Sequence, residues 1–294
     1  MFYLPSFFFS VIIRGTKKEG SPMENVTRRD VIAACEECER NATFDVHVDP
    51  VDPETVLPVD ENFEFIPKTA KRKAKRWFDR TFLIKPYSWY QNSVVLKTKV
   101  YGRKNLKGIK SAITTCNHVY MFDCLAILRA LKGHKVKFTV AEFNNRKGFL
   151  GEMMRSAGIL PITGKLKVVK QFNHAVEHYL LHDNYVTFYP EQAMWYLYEK
   201  PRPYKIGAFH YAVKFDVPVI PMFISYRPSG KIVGEGLEHK YFTVHILKPI
   251  YPDKTLSPKD AAEQMRVANY RAVKEKYEEI YGKPLTYTCG EVAE

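Results

Sequence analysis

"TTCNHVYMFDCLA", residues 114–126, sets an apolar run ending at Asn117-His118 against a second apolar run that opens with Asp123. The stretch leading in, "SAITTCN" from Ser111, reads as a buried strand. The stretch leading out, "FDCLAILRALKGH", reads as a helix that Gly133 can stop. The same alternation continues on both sides. "SVVLKTKVYG" from Ser93 and "VKFTVAEF" from Val136 are strand-like, and "KLKVVKQFNHAVEHYLLHDN" is a helix burying Val169, Phe172, Val176 and Leu180. Then come strand "YVTFYP", helix "PYKIGAFHYAVKF", and strands "VPVIPMFISY" and "YFTVHILKPI". A last helix opens at Ser257-Pro258 with Asp260 in its first turn, showing Ala262, Met265, Val273, Tyr277 and Ile280 to the domain. This order predicts one α/β domain with a central, largely parallel (mixed) sheet covered by helices.

The chain has 294 residues, 46% of them apolar, enough for a sizeable core. Its 45 Lys and Arg against 32 Asp and Glu leave +13, which favours an anionic partner: a nucleic acid, a lipid surface or an acidic carrier. Five scattered cysteines point to a reducing cytoplasm rather than a disulfide framework, and Cys35-x-x-Cys38 has no second pair at zinc spacing. The apolar opening "MFYLPSFFFSVII" is too short to span a bilayer; it reads as an interfacial anchor, a packed arm, or sequence upstream of a start at Met23.

Three regions follow from the charge pattern: an irregular, acidic arm over 1–66, a basic aromatic segment over 67–92, and the main domain over 93–294. In the second, Ala70, Ala74, Trp77, Phe78 and Phe82 recur near helical spacing. Lys71, Arg72, Lys75 and Arg76 surround them. Such a helix suits the headgroup layer of an anionic membrane, with Trp77 and Phe78 inserted. The other reading is a solvated helix that packs its aromatics on the domain. No nucleic-acid motif accompanies the basic residues.

His118 follows a buried strand and Asp123 lies in the first turn of the next helix, five positions on. If the loop curls back, the carboxylate can accept from Nδ1–H and leave Nε2 free as a base for a hydroxyl. The same spacing also serves ordinary junctions. "YVTFYPEQAMW" brings Glu191 to the same sheet edge if the strands are parallel, where it can equally be a helix-start residue. His174, His178 and His182 stand four apart on one helix but opposite its apolar face, looking at solvent.

Taken in order, these segments resemble the glycerolipid acyltransferase family, over about residues 94–250. Asn117, His118 and Asp123 match its first motif, and "GEMMRSAGILPITGK" its second, with Gly151, Arg155, Gly158 and Pro161. In "YPEQAMW" only Pro190 and Glu191 keep the third motif, Phe-Pro-Glu-Gly-Thr-Arg-Ser. Lys205, Gly207 and the "VPVIP" strand match later features. The resemblance implies acyl transfer from a thioester, acyl-CoA or acyl carrier protein, to a hydroxyl of a lysophospholipid-like or other lipid acceptor. His118 would be the general base and Asp123 its orienting partner, with Asn117, Arg155, Lys165, Glu191, Lys205 and Gly207 at the substrate. No metal or other cofactor is implied, and no nucleic acid. The third motif's phosphate-binding arginine is replaced by Met194, and the arginine after the second by Gly164. Methionine cannot imitate a bidentate guanidinium, which argues against plain lysophosphatidate as the acceptor. The expected setting is cytoplasmic, peripheral at the inner face of the membrane. Two rivals are an acyl-thioester hydrolase and a catalytically silent lipid-binding scaffold.

Overall fold

The computed structural model describes residues 26–290 and residue 292. The apolar opening segment lies outside them. Among the described residues no helix is long and apolar enough to cross a membrane.

A seven-stranded sheet runs through the molecule in the order β1-β7-β6-β2-β5-β3-β4. Its strands are β1 Lys99–Tyr101, β2 Ala112–Thr115, β3 Lys135–Ala141, β4 Ile159–Ile162, β5 Asn184–Phe188, β6 Val219–Val233 and β7 Leu237–Ile246. β6, β2, β5, β3 and β4 are mutually parallel, β7 is antiparallel to β6, and β1 is parallel to β7. β2 and β5 are buried at every position, as expected of central strands covered on both faces.

Alternate residues of these strands feed two cores. Ile113, Val186 and Val219 face one layer, made by α6 (Leu166–Leu181), α7 (Gly207–Lys214) and α8 (Pro258–Tyr281). Ala112, Tyr185 and Ile220 face the other, where α4 (Asp123–Ala130) packs with Leu96 and Leu106. Within α6 the buried valines are Val168 and Val176, whereas Val169 is only half-buried. In α8 the Ser257 hydroxyl caps Asp260 N–H, and Ala262, Met265, Val273 and Tyr277 are buried.

Two further local expectations are corrected. The arm is not irregular throughout. Thr27 and Asp30 form a capping box that starts α1 (Arg28–Arg40), whose Val31 and Cys35 pack with Phe44 on Ala193 and Trp195. "SVVL" is not strand: it ends a helical rod of α2 (Ala70–Phe78), a π-turn over Asp79–Ile84, α3 (Lys85–Tyr90) and a second π-turn over Gln91–Val95. Burial of Leu96 and the Asn92 amide bond to Leu125 O, 2.9 Å, override the β-propensity of Val94 and Val95. The first π-turn ends just before Pro86, which has no N–H to give to the ladder. Finally, the second-motif stretch forms α5 (Gly148–Ala157) and the edge strand β4, where Pro161 is tolerated because β4 has a neighbour on one side only.

The rod leaves Trp77, Phe78, Phe82 and Trp89 between 52% and 63% exposed, so these four rings do not pack on the domain. They touch one another instead, Phe78 on Phe82 at 4.9 Å and Trp77 on Phe82 at 5.9 Å. All five cysteines are free. Burial pushes the Cys35 thiol up to about 12, so it is an inert core residue.

Candidate active site

The parallel strands deliver their carboxyl ends to one edge, and the chain leaving β2 and β5 builds the site there. After β2, Asn117 is fully buried: its amide nitrogen donates to Ile224 O at 3.0 Å and its oxygen accepts from Ile224 N at 2.8 Å. That pairing fixes the strand end against β6. Asn117 is therefore scaffold and does not face a substrate.

His118 is next, and α4 begins five residues later with Asp123 at its first position. The turn between them closes on itself. Asp123 Oδ2 accepts from Val119 N at 3.0 Å and Tyr120 N at 3.3 Å, and lies 2.7 Å from His118 Nδ1. A carboxylate so placed fixes the hydrogen on Nδ1 and leaves Nε2 as the acceptor. Asp123 is 1% exposed while the His118 side chain retains 22%, so the orienting group is sealed and the ring reaches solvent.

Tyr189, the first residue after β5, completes the unit, and the sequence reading gave it no role. Its ring stacks on His118 at 4.0 Å and 19°, and its hydroxyl donates to Asp123 Oδ1 at 2.7 Å. Burial and the adjoining Asp123 charge push the phenol well above its ordinary value, keeping it a donor. The signal was present: tyrosine stands where the third motif has phenylalanine, and the added hydroxyl is what reaches Asp123.

Glu191 lies at the same edge, but it is 1% exposed and its oxygens are occupied. Oε2 accepts from His118 N at 3.1 Å and from Arg202 Nη2 at 2.8 Å, and Oε1 accepts from Arg202 N at 3.0 Å. The expectation that Glu191 binds substrate is thus replaced by a clamp on the backbone of His118. Arg202, also missed in the sequence, donates further to Phe44 O at 2.8 Å and Ala193 O, and lies over the Trp195 ring at 4.5 Å. Trp195 N donates to His118 O at 3.0 Å and Leu197 N to Val119 O at 2.8 Å. The residues that depart from the third motif therefore form a wall behind His118. Trp195 is fully buried, with its indole N–H on Val46 O at 2.9 Å.

The cations expected at the substrate do not converge. Arg155 donates to Asn145 Oδ1 at 2.9 Å and Arg146 O at 2.8 Å, and pairs with Glu152, tying α5 to the loop after β3. Gly151 permits that closeness, since a Cβ there would lie 1.7 Å from Arg146 O. Lys165 follows β4, three strands from β2, which at about 4.8 Å per strand puts it roughly 14 Å away. It pairs with Glu142 and donates to Val59 O at 3.0 Å. Lys205 is half-exposed and paired with Asp45 at 2.7 Å. Gly207 opens α7 with free space where a Cβ would be, so nothing there demands glycine.

The rod approaches this edge through Tyr87, whose ring meets Phe122 at 5.9 Å, and Met121 beside it is 53% exposed. Of the basic residues expected to dock, Lys71, Arg72 and Lys75 are exposed and Arg76 is half-buried. Arg72 pairs with Glu64, and Lys75 with Asp79 and Glu152.

Residues 97–225 match the family model described as Acyltransferase. The fold is similar to that of PlsC, the 1-acyl-sn-glycerophosphate (LPA) acyltransferase of Thermotoga maritima. The TM-score is 0.51 at 18% identity, over 76% of this chain and 87% of that one. No curated protein matches the chain.

Proposed function

From the match of residues 97–225 to the Acyltransferase family model, we propose that the protein moves a fatty acyl group from a thioester to the hydroxyl of a lipid acceptor. His118 Nε2 takes the proton from the acceptor hydroxyl as its oxygen attacks the thioester carbonyl. The thiolate then leaves and takes up a proton, and no acyl-enzyme forms. Asp123 holds the ring and stabilises the imidazolium, a role shared with Tyr189 at one remove. The observation that carries this reading is the 2.7 Å contact between Nδ1 and a sealed carboxylate, beneath a ring that reaches solvent. A base so positioned contributes about 100- to 10,000-fold.

The donor is acyl-CoA or acyl carrier protein, both of which suit a chain of net charge +13. The acceptor is a glycerolipid or related lipid other than plain lysophosphatidate, since Met194 and Gly164 stand where the family's phosphate-binding arginines would be. The exposed aromatics of the rod and its basic residues dock on an anionic bilayer, where such acceptors reside. Docking of this kind weakens as salt rises from low to physiological strength, because the Debye length falls to about 8 Å.

The experiment is to incubate the purified chain with labelled acyl-CoA or acyl carrier protein and a panel of lysolipids and neutral lipid alcohols, identifying products by mass. An acylated lipid, with little free acid when acceptor is omitted, is the expected result. Release of free acid at the same rate without acceptor would replace transfer by hydrolysis. No product of either kind would favour a silent lipid-binding scaffold.

A further inference from the structure

A second polar cluster lies beneath the rod, away from the edge that carries His118. Lys137 of β3 is 5% exposed, and its ammonium sits over the Tyr179 ring at 4.3 Å without a hydrogen bond or ion pair among the described residues. Gly158, in the left-handed region at φ 97°, follows α5. A Cβ on it would lie 2.7 Å from Arg80 Nη2 and 2.9 Å from Lys137 Nζ, so those nitrogens face one point and stand within about 6 Å of each other.

Arg80 is held there by Ser156 O at 2.6 Å and Ala157 O at 2.9 Å, both neutral acceptors. Arg76, one turn earlier, lies beside the Tyr179 hydroxyl and donates from Nη2 to Glu64 O at 3.0 Å. Its buried Nη1 has no hydrogen-bond partner among the described residues. Among the described residues no carboxylate pairs with any of the three basic groups. Asp79, on the same rod, is engaged by Lys75 and by the Ser156 hydroxyl. Burial, then the Arg80, Arg76 and Lys135 charges, drive the Lys137 ammonium well below the ordinary lysine range. Three convergent basic groups, Lys137 buried and Arg76 and Arg80 half-buried, with no counter-charge among the described residues are costly, and an oxyanion would offset that cost.

We propose that Arg76, Arg80 and Lys137 form a binding site for a phosphate group. The buried Arg76 Nη1 and Lys137 Nζ supply the unused donors, and Arg80 supplies further charge. Trp77, Phe78 and Phe82 stand exposed on the same rod, so the phosphate comes either from a lipid headgroup or from a soluble phosphate compound. The site goes beyond the acyl-transfer reading and does not depend on it.

Calorimetry and melting curves on the full chain test it with inorganic phosphate as the probe. Wild type and the exposed-surface control Lys132→Gln should bind equally, and Lys137→Met and Arg80→Gln at least about tenfold more weakly. In phosphate-free buffer Lys137→Met should melt above wild type, because it replaces a buried amine that has no partner among the described residues by an apolar side chain, and in saturating phosphate it should melt below. A merely structural lysine would not produce that crossing. A second arm pellets the protein with phosphatidylcholine vesicles with or without phosphatidate. Loss of phosphatidate-dependent binding in Lys137→Met, with competition by inorganic phosphate, assigns the lipid source. Unchanged pelleting beside weakened phosphate binding assigns the soluble one. If the variants match wild type toward both probes, the site does not exist. His118→Ala should leave phosphate affinity and vesicle pelleting unchanged, so failure here and failure of the acyl-transfer reading are distinguishable.

Discussion

His118 is gripped by two carboxylates that behave in opposite ways. Asp123 meets the ring and leaves the far nitrogen open, while Glu191 meets the backbone nitrogen and is itself locked to Arg202, both partners 1% exposed. One pair is asymmetric, with a sealed acid and a partly exposed base. The other is symmetric and closed. The difference separates a group that can exchange a proton with a ligand from one that can only hold position. Both acids lie at the carboxyl edge of neighbouring parallel strands, so position in the fold alone does not distinguish them.

The sharpest way to break this contrast is His118→Ala. Acyl transfer should fall by about 100- to 10,000-fold in kcat/KM with the fold retained by circular dichroism. Asp123→Asn should follow, with a loss of about 100-fold or more. Its amide presents a donor to Nδ1, which moves the ring hydrogen to Nε2, and it serves the Val119 and Tyr120 N–H groups less well. Glu191→Gln should act on stability instead. Leaving Arg202 unpaired costs about 3 kcal/mol, read as an earlier urea midpoint, while activity per folded molecule changes far less. Joining it with Arg202→Met should recover part of the loss, since the isolated buried charge is then gone. If Glu191→Gln abolished turnover at unchanged stability, the contrast would fail and Glu191 would touch the reaction. The smallest effect belongs to Tyr189→Phe. It keeps the stacked ring and removes one hydrogen bond to Asp123, costing about 1 kcal/mol and lowering kcat a few-fold.

The open pair was readable from the sequence because it is local: five residues, a strand end and a helix start. The alternation of strands and helices was legible for the same reason, each element carrying its own periodicity. Glu191's role was not, because it depends on Arg202, which lies eleven positions on with no regular element between them. Asn117 deceived similarly, for its partner Ile224 sits on another strand. Arg155, Lys165 and Lys205 carried charge suited to a phosphate, but each finds its partner within the chain: a carboxylate for Lys165 and Lys205, neutral oxygens and Glu152 for Arg155. The exposure of Trp77 and Phe82 was undecidable beforehand, since an amphipathic pattern states which face is apolar and not what covers it.

The central claim is that the free nitrogen of His118 removes the acceptor's proton, and chemical rescue tests it most directly. Added imidazole should restore part of the acyl transfer lost in His118→Ala, in proportion to the unprotonated fraction of the imidazole as pH is varied. Near-normal transfer by His118→Ala without imidazole would contradict the account.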